Sequence, residues 1–357
     1  MTEIFVLGFD PVFIDILVTP LTPESTPLSS FPKIGEHIAN TKISMVPGGN
    51  GLNVARVLSL LTPQVLFFSN FNPFFAELLR TNTEYLQYYS TKSLTPNITV
   101  ALQFSTGEVQ MNAVSSFFGP EDLSFTSLLY LCLSNVVPFS NLGLNTKGPS
   151  LFDFLCSFFN NLKDFLYTIS HDSDRETNFD KLVNFIRLQE STFPLSFVDP
   201  EPTLSDFSKL LSFTPNLDHK VFYFDSSTLQ SFTKWNWLQE FLSQEFKDLP
   251  GHKIITINEY EFESLKSHNI DLNLFLTGTQ TFMVVHESTK VTIYQKNLKN
   301  VTVLPVPVLE ADRIVTSVGA GDSFTAGLLY DYVQSFDIFS ACNHAITIAQ
   351  RYLTNTL

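Results

Sequence analysis

Glycine is scarce in this sequence. Only 14 of 357 residues are Gly, where average usage of ~7% would give about 25. Glycines that cluster in such a chain are expected to answer a backbone requirement. Cysteine is rarer still: Cys132, Cys156 and Cys342 stand alone, with no C-x-x-C spacing and no even framework. That excludes a disulfide scaffold and fits a reducing compartment. Positive charge is also short, with 21 Lys and Arg against 35 Asp and Glu and a formal net charge of −14. Neither nucleic acid nor an anionic membrane surface is therefore expected as a partner. Residues 1–10 carry Glu3 and Asp10 and no basic side chain. This is not the positive start of a secretory leader, and a cytoplasmic location is expected. The longest charge-free stretch, Leu123 to Thr146, is interrupted by Asn135, Pro138, Asn141 and Gly143. It reads as a buried segment, because a membrane helix needs ~20 mostly apolar residues.

What the chain has in quantity is apolar side chains: 44% hydrophobic residues, 36 of them Phe, and only 16% charged. Disorder is excluded by that balance, and the length supports a sizeable core. The Phe excess is read as core packing. Strand-like runs fall at Ile4–Leu7, Phe13–Val18, Ile43–Val46 and Val65–Phe68, then at Asn97–Ser105 and Glu108–Ser115 around a turn at Thr106-Gly107. Leu128–Val137 is strand-like in part, and Leu151–Tyr167 reads as a helix. The polar stretch His171–Thr177 reads as a loop. Leu195–Val198, Val221–Phe224 and Ile254–Ile257 each run into Asp or Asn (Asp199, Asp225, Asn258), and strands at Phe282–Val285, Val291–Tyr294 and Val301–Val308 follow. Buried strands that end in a polar residue and feed helices indicate an α/β fold, a doubly wound, mostly parallel sheet with helices on both faces. Ligands in such sheets sit beyond the carboxyl ends of the strands. Val54, Val57, Leu58 and Leu61 share one helical face, and Ser323–Phe336 and Ile338–Leu353 close the chain as helices.

Five of the few glycines fall in two clusters, each between strand character and a helix: Pro47-Gly48-Gly49-Asn50-Gly51-Leu52-Asn53 and Val318-Gly319-Ala320-Gly321-Asp322-Ser323-Phe324. Glycine lets backbone N–H groups approach a ligand closely, and a helix start adds unpaired donors and partial positive charge. A plain steric turn is the alternative for either cluster alone. Neither is a dinucleotide fingerprint, since Val54 stands at the third-glycine position, and neither has the G-K-[ST] ending of a P-loop. Asp322 directly after Gly-Ala-Gly stands where a base for a substrate hydroxyl would be needed beside a phosphoryl-binding turn. No H-E-x-x-H or G-x-S-x-G occurs, which disfavours those zinc and serine hydrolase chemistries.

In order, spacing and flanking elements, the two clusters resemble the amino- and carboxyl-terminal signatures of the ribokinase-like (phosphofructokinase B) carbohydrate kinases. The wording Gly-Gly-x-Gly-x-Asn-Val-Ala-Arg-Val-Leu over residues 48–58 is similar to the 1-phosphofructokinase and tagatose-6-phosphate kinase branch. The resemblance implies one ribokinase-like α/β domain over residues 1–357, with a small β lid from about 15–46 and 95–115. It further implies ATP-dependent phosphorylation of a hydroxyl on a small sugar or sugar phosphate. Asp322 would be the general base, and Gly319, Ala320 and Gly321 the anion hole. Asp15, Gly48, Gly49, Asn53 and Asn97 would hold the substrate, with Gly8 in the first strand. Asn258, Ser317, Gly319, Gly321 and Asn343 would face the nucleotide. Mg²⁺ would sit on the nucleotide phosphates, with Glu261 of Asn258-Glu259-Tyr260-Glu261 in its outer shell through water. A homodimer through the β lid is a further implication.

Four departures from the family pattern leave alternatives open. Asn50 stands where the phosphosugar branch has Lys, and Pro96 where it has a lid Arg, so an unphosphorylated sugar or a nucleoside is the alternative acceptor. After Val285 the chain runs His286-Glu287-Ser288-Thr289-Lys290 without the family's glycine, and Thr316 replaces an upstream aspartate. A non-catalytic, ligand-binding protein on the same fold is the alternative those changes raise.

Overall fold

A computed structural model describes residues 4–7, 12–22, 24–25, 27–29, 40–62, 65–68, 97–104, 107–113, 123, 128–129, 131–132, 136–140, 151–170, 174–192, 203–205, 207–208, 219–225, 247, 249–278, 280–310, 313–315 and 319–357. In chain order the elements are β1 (Ile4–Leu7), β2 (Phe13–Leu21), β3 (Asn40–Gly48), α1 (Asn50–Leu61), β4 (Val65–Phe68), β5 (Asn97–Phe104), β6 (Gly107–Ala113) and β7 (Val136–Ser140). Helices α2 (Leu151–Ser170) and α3 (Arg175–Thr192) follow, then β8 (Val221–Asp225), β9 (His252–Asn258), α4 (Glu259–Ser267), β10 (Thr281–His286), β11 (Lys290–Gln295) and β12 (Asn297–Pro305). Helices α5 (Ala320–Ser335) and α6 (Ile338–Leu353) end the chain.

The main sheet has the order β12-β11-β10-β9-β8-β7. Strands β7 to β10 are parallel, and β11 and β12 return antiparallel as an edge hairpin. The parallel pair β1 and β4 lies alongside, with β1 against β7. Alternation along the strands assigns side chains to two cores. Val221, Tyr223, Ile254, Phe282 and Val284 point to the core shared with α1, α5 and α6. Phe222, Phe224, Ile255, Ile257, Met283 and Val285 point to the opposite core, with α2, α3 and α4. A period of two with both sets apolar is what burial on both faces requires. Much of the Phe content lies in the second core, where the Phe159 ring meets Phe222 edge-on at 5.2 Å and Phe165 stacks on Phe185 at 5.1 Å. All three cysteines are free and buried.

A separate four-stranded sheet, β3-β2-β5-β6, joins two distant chain regions. Strand β2 pairs antiparallel with β3 and parallel with β5, and β5 and β6 form the expected hairpin with Phe104 opposite Gly107. One expectation needs correction. The stretch read as a loop, His171–Thr177, runs into α3 from Arg175, because Asp174 Oδ1 accepts the Glu176 and Thr177 amides at 3.1 and 3.4 Å and so starts the helix. In the stretch Leu128–Val137, residues 128–129 and 131–132 are helical and strand begins only at Val136. The strand expected at Leu195–Val198 lies outside the described residues. Among the described residues no helix is long and apolar enough to cross a membrane.

Candidate active site

The two glycine clusters are 269 residues apart in sequence and meet in space. Strand β3 ends at Gly48 and α1 begins at Asn50, with Gly49 between them at φ 108°. The second turn places Gly319 in the left-handed region, φ 83° and ψ 6°, immediately before α5. A side chain would strain that conformation. Each turn is closed by its own helix: Asn53 N–H donates to Gly49 O and Ser323 N–H to Gly319 O, both at 2.9 Å. Because α1 packs on α5, their first turns face one another, and Asn53 Nδ2 donates to Asp322 Oδ2 at 2.8 Å. This bond fixes the orientation of the carboxylate at the helix start, where unpaired N–H groups and the helix dipole already favour negative charge.

The four-stranded sheet adds a second carboxylate. Asp15 in β2 stands opposite Val46 of β3, and its side chain lies over Gly48 so closely that a Cβ there would be 1.7 Å from Asp15 Oδ2. Asn97, buried at 2% exposure, lies opposite Phe13 in the neighbouring strand β5. Parallel register puts it on the Asp15 face of the sheet. Asp15, Gly48, Gly49, Asn53, Asn97 and Asp322 thus line the meeting of β2, β3 and β5 with the two helix starts. Gly8 and Ser317 lie outside the described residues.

On the other side of Ala320 and Gly321 a cleft of about 600 Å³ opens beyond the carboxyl ends of β9 and β10. Asn258 and Glu259 form one wall, and Ser288 and Thr289 of the β10–β11 turn another. That turn closes without glycine: Glu287 N–H donates to Lys290 O at 2.9 Å, their side chains form an ion pair at 3.4 Å, and none of residues 286–290 has a positive φ. Its glycine-free sequence therefore does not disrupt the cleft. The remaining lining is apolar, with Val306, Val308 and Ile314 facing Ile346, Ala349 and Leu353 of α6. Sequence reading missed this wall, although Ile346, Ala349, Gln350 and Leu353 recur at one-face helical spacing. Asn343 sits one turn earlier in α6, donates to Phe339 O at 3.0 Å and is not among the cleft-lining residues.

Asn258 and Glu261 form a reciprocal capping box. Glu261 N–H donates to Asn258 Oδ1 and Asn258 N–H to Glu261 Oε2, each at 2.9 Å. Glu261 is buried, and of this pair Asn258 alone lines the cleft. His286 ends β10 beside Gly321, with its ring 5.3 Å from Phe324. Burial pushes its imidazole down to about 4, so it is neutral at physiological pH.

Two further residues near the turns were not foreseen. Tyr352, from the last turn of α6, lies against Gly319, and Arg56, one turn after Asn53 in α1, donates Nη1 to Pro47 O at 3.4 Å. Their contacts depend on how three helices pack, which no local sequence signal carries.

Known proteins resemble this chain in sequence and in fold. Residues 201–356 match the pfkB family carbohydrate kinase pattern. Over 114 residues the chain is 26% identical to a nucleoside kinase of Methanocaldococcus jannaschii, covering 31% of this chain and 36% of that protein's length. Adenosine kinase of Anopheles gambiae, solved with P1,P4-di(adenosine-5) tetraphosphate, superposes with a TM-score of 0.60 at 17% identity, covering 100% of this chain and 97% of that one. Ribokinase of Thermotoga maritima superposes with a TM-score of 0.58 at 14% identity, over 99% and 93% of the two chains. The chain thus has the α/β fold of these kinases, with mixed sheets and helices on both sides, and over residues 201–356 it is similar to the pfkB family carbohydrate kinases.

Proposed function

We propose that the protein transfers a phosphoryl group from ATP to a hydroxyl of a small neutral sugar or nucleoside. The observation that carries this reading is the 2.8 Å bond from Asn53 to Asp322, which joins the first glycine turn, where Asp15 lies over Gly48, to a helix start bordering a cleft of about 600 Å³. Asp322 accepts the proton of the acceptor hydroxyl as its oxygen attacks the terminal phosphoryl. The N–H groups of Gly319, Ala320 and Gly321 stabilise the charge on the transferring group. Asn53 keeps the carboxylate aimed at the hydroxyl, while Asp15 and Asn97 bind further hydroxyls of the acceptor.

Two carboxylates beside the acceptor, with Asn50 in place of a lysine, favour a substrate without a phosphate of its own. The nucleoside kinase and adenosine kinase relatives favour a nucleoside equally with a free sugar. An acceptor carrying a phosphate, as in the branch that the first signature resembles, is the reading disfavoured. The apolar wall of the cleft suits the flat face of a nucleotide base.

The described residues contain no group of three His, Cys, Asp or Glu that could cage a metal. They fit instead a hydrated Mg²⁺ carried on the nucleotide phosphates, whose water shell Asn258 would hold with Glu261 fixed behind it. Such an ion supplies neutralisation of phosphate charge. The strand β3, with Ile43 and Met45 exposed by 64% and 63%, supports a lid-to-lid homodimer.

A coupled ADP-release screen over free sugars, nucleosides and phosphosugars tests the assignment. Wild type should turn over a neutral acceptor, and Asp322→Asn should lower kcat by about a thousandfold with an unchanged thermal midpoint. Equal rates for the two proteins would sink the mechanism. Turnover only with phosphosugars would overturn the neutral acceptor.

A further inference from the structure

The backbone at Gly319 has no side chain of its own and receives no side-chain cap. Its carbonyl accepts the Ser323 N–H at 2.9 Å and the Ser323 Oγ hydroxyl at 2.8 Å, which hold the turn from the α5 side only. On its outer side lies Tyr352: a Cβ on Gly319 would be 2.8 Å from the phenol oxygen and 3.3 Å from Cζ. The ring is therefore in direct contact with the turn that carries the proposed anion hole. Tyr352 is itself well anchored. Leu353 O accepts the Val315 N–H at 2.8 Å, tying the end of α6 to the segment that enters the second glycine turn.

Arg56 approaches from the other turn. Its guanidinium donates to Pro47 O at 3.4 Å, so it holds the first glycine turn from within α1. Asn53, Arg56, Gly319, Ser323 and Tyr352 all line one small cavity of about 180 Å³ between the helix starts. The phenol feels both neighbours: burial raises its pKa, the Arg56 charge lowers it and the Asp322 charge raises it. A cation, a phenol and the proposed base thus lie within electrostatic reach behind the pocket.

We infer that Tyr352 and Arg56 form a strut behind the two glycine turns, holding Gly319 and Asp322 in register with Asn53, and so act as positioning residues for phosphoryl transfer. The inference rests on the kinase reading above. Neither side chain needs to touch a substrate. Tyr352 blocks the outward movement of Gly319, and Arg56 keeps the first turn, and with it Asn53, from drifting along α1. A misplacement of ~1 Å at a reacting group can cost about a hundredfold in rate, so a strut of this kind acts on kcat more than on binding.

The test compares wild type with Tyr352→Ala, Tyr352→Phe and Arg56→Gln by steady-state kinetics, using the best acceptor from the screen. Amide hydrogen exchange is followed in the same proteins. Tyr352→Ala should lose about tenfold or more in kcat with the acceptor KM within about twofold, and Tyr352→Phe, which keeps the ring, should recover most of that loss. Arg56→Gln should change the same parameter in the same direction. Exchange should rise in the peptide covering residues 319–323 of Tyr352→Ala and stay unchanged in residues 252–258 of β9. Unaltered exchange at 319–323, a rise spread equally over β9, or a loss confined to KM would each overturn the strut. Absence of turnover in wild type would instead overturn the kinase reading, and the exchange comparison would still decide the strut.

Discussion

At the scale of single residues, Gly48 and Asp15 show how a missing side chain makes room for a neighbouring carboxylate. The Asp15 carboxylate occupies the space that a Cβ at position 48 would need, at 1.7 Å. Gly48→Ala must therefore push Asp15 out of the pocket rather than strain the backbone. The expected result is an acceptor KM raised at least about tenfold, equivalent to ~1.4 kcal/mol, with ATP affinity unchanged by calorimetric titration. An unchanged acceptor KM would show that Asp15 does not hold the substrate. Residues of this kind are legible in the sequence, because rare glycines beside Asn53 and Asp322 mark them. Tyr352 and Arg56 are not. A tyrosine in a last helical turn and an arginine in a first helix are ordinary until packing brings them to one cavity.

At the scale of elements, the helices that present the site depend on a close approach. Gly327 in α5 faces α6 so tightly that a Cβ would be 2.9 Å from Ala345 Cα, a backbone atom that cannot rotate away. Gly327→Ala is expected to destabilise the fold by about 1–3 kcal/mol through overpacking, read as a lower denaturant midpoint. A neutral effect would show that α5 and α6 can separate. The parallel strands and both final helices were legible from apolar runs and helical spacing. Helix α3 was not, since its polar start from Asp174 is the composition of a loop as much as of a cap. The apolar wall of the cleft was equally hidden: Val308, 87% exposed, is uninformative until strand β12 and helix α6 stand opposite each other.

At the scale of the whole molecule, burial of His286 links stability to pH. Its folded-state pKa of about 4 lies below the ~6.5 of an unfolded chain. Between those values the unfolded state binds more protons, so stability rises with pH. The contribution is fully present above about 6.5 and is lost as pH falls toward about 4. Thermal midpoints measured from pH 7 downward should therefore fall more steeply for wild type than for His286→Gln. Parallel curves would show that the imidazole is solvated in the native protein.

The meeting of Asn53 with Asp322 has a temporal consequence. The proposed base and the residue proposed to aim it close a loop of 269 residues, and the chain entropy lost in closing a loop of that length is about 5 kcal/mol. Such a contact comes late in folding, after the local helices and the parallel sheet exist. A chain still emerging from the ribosome has Asn53 long before it has Asp322. On the kinase reading, turnover therefore begins only once α5 has joined α1, and no fragment that ends before Asp322 can carry it out.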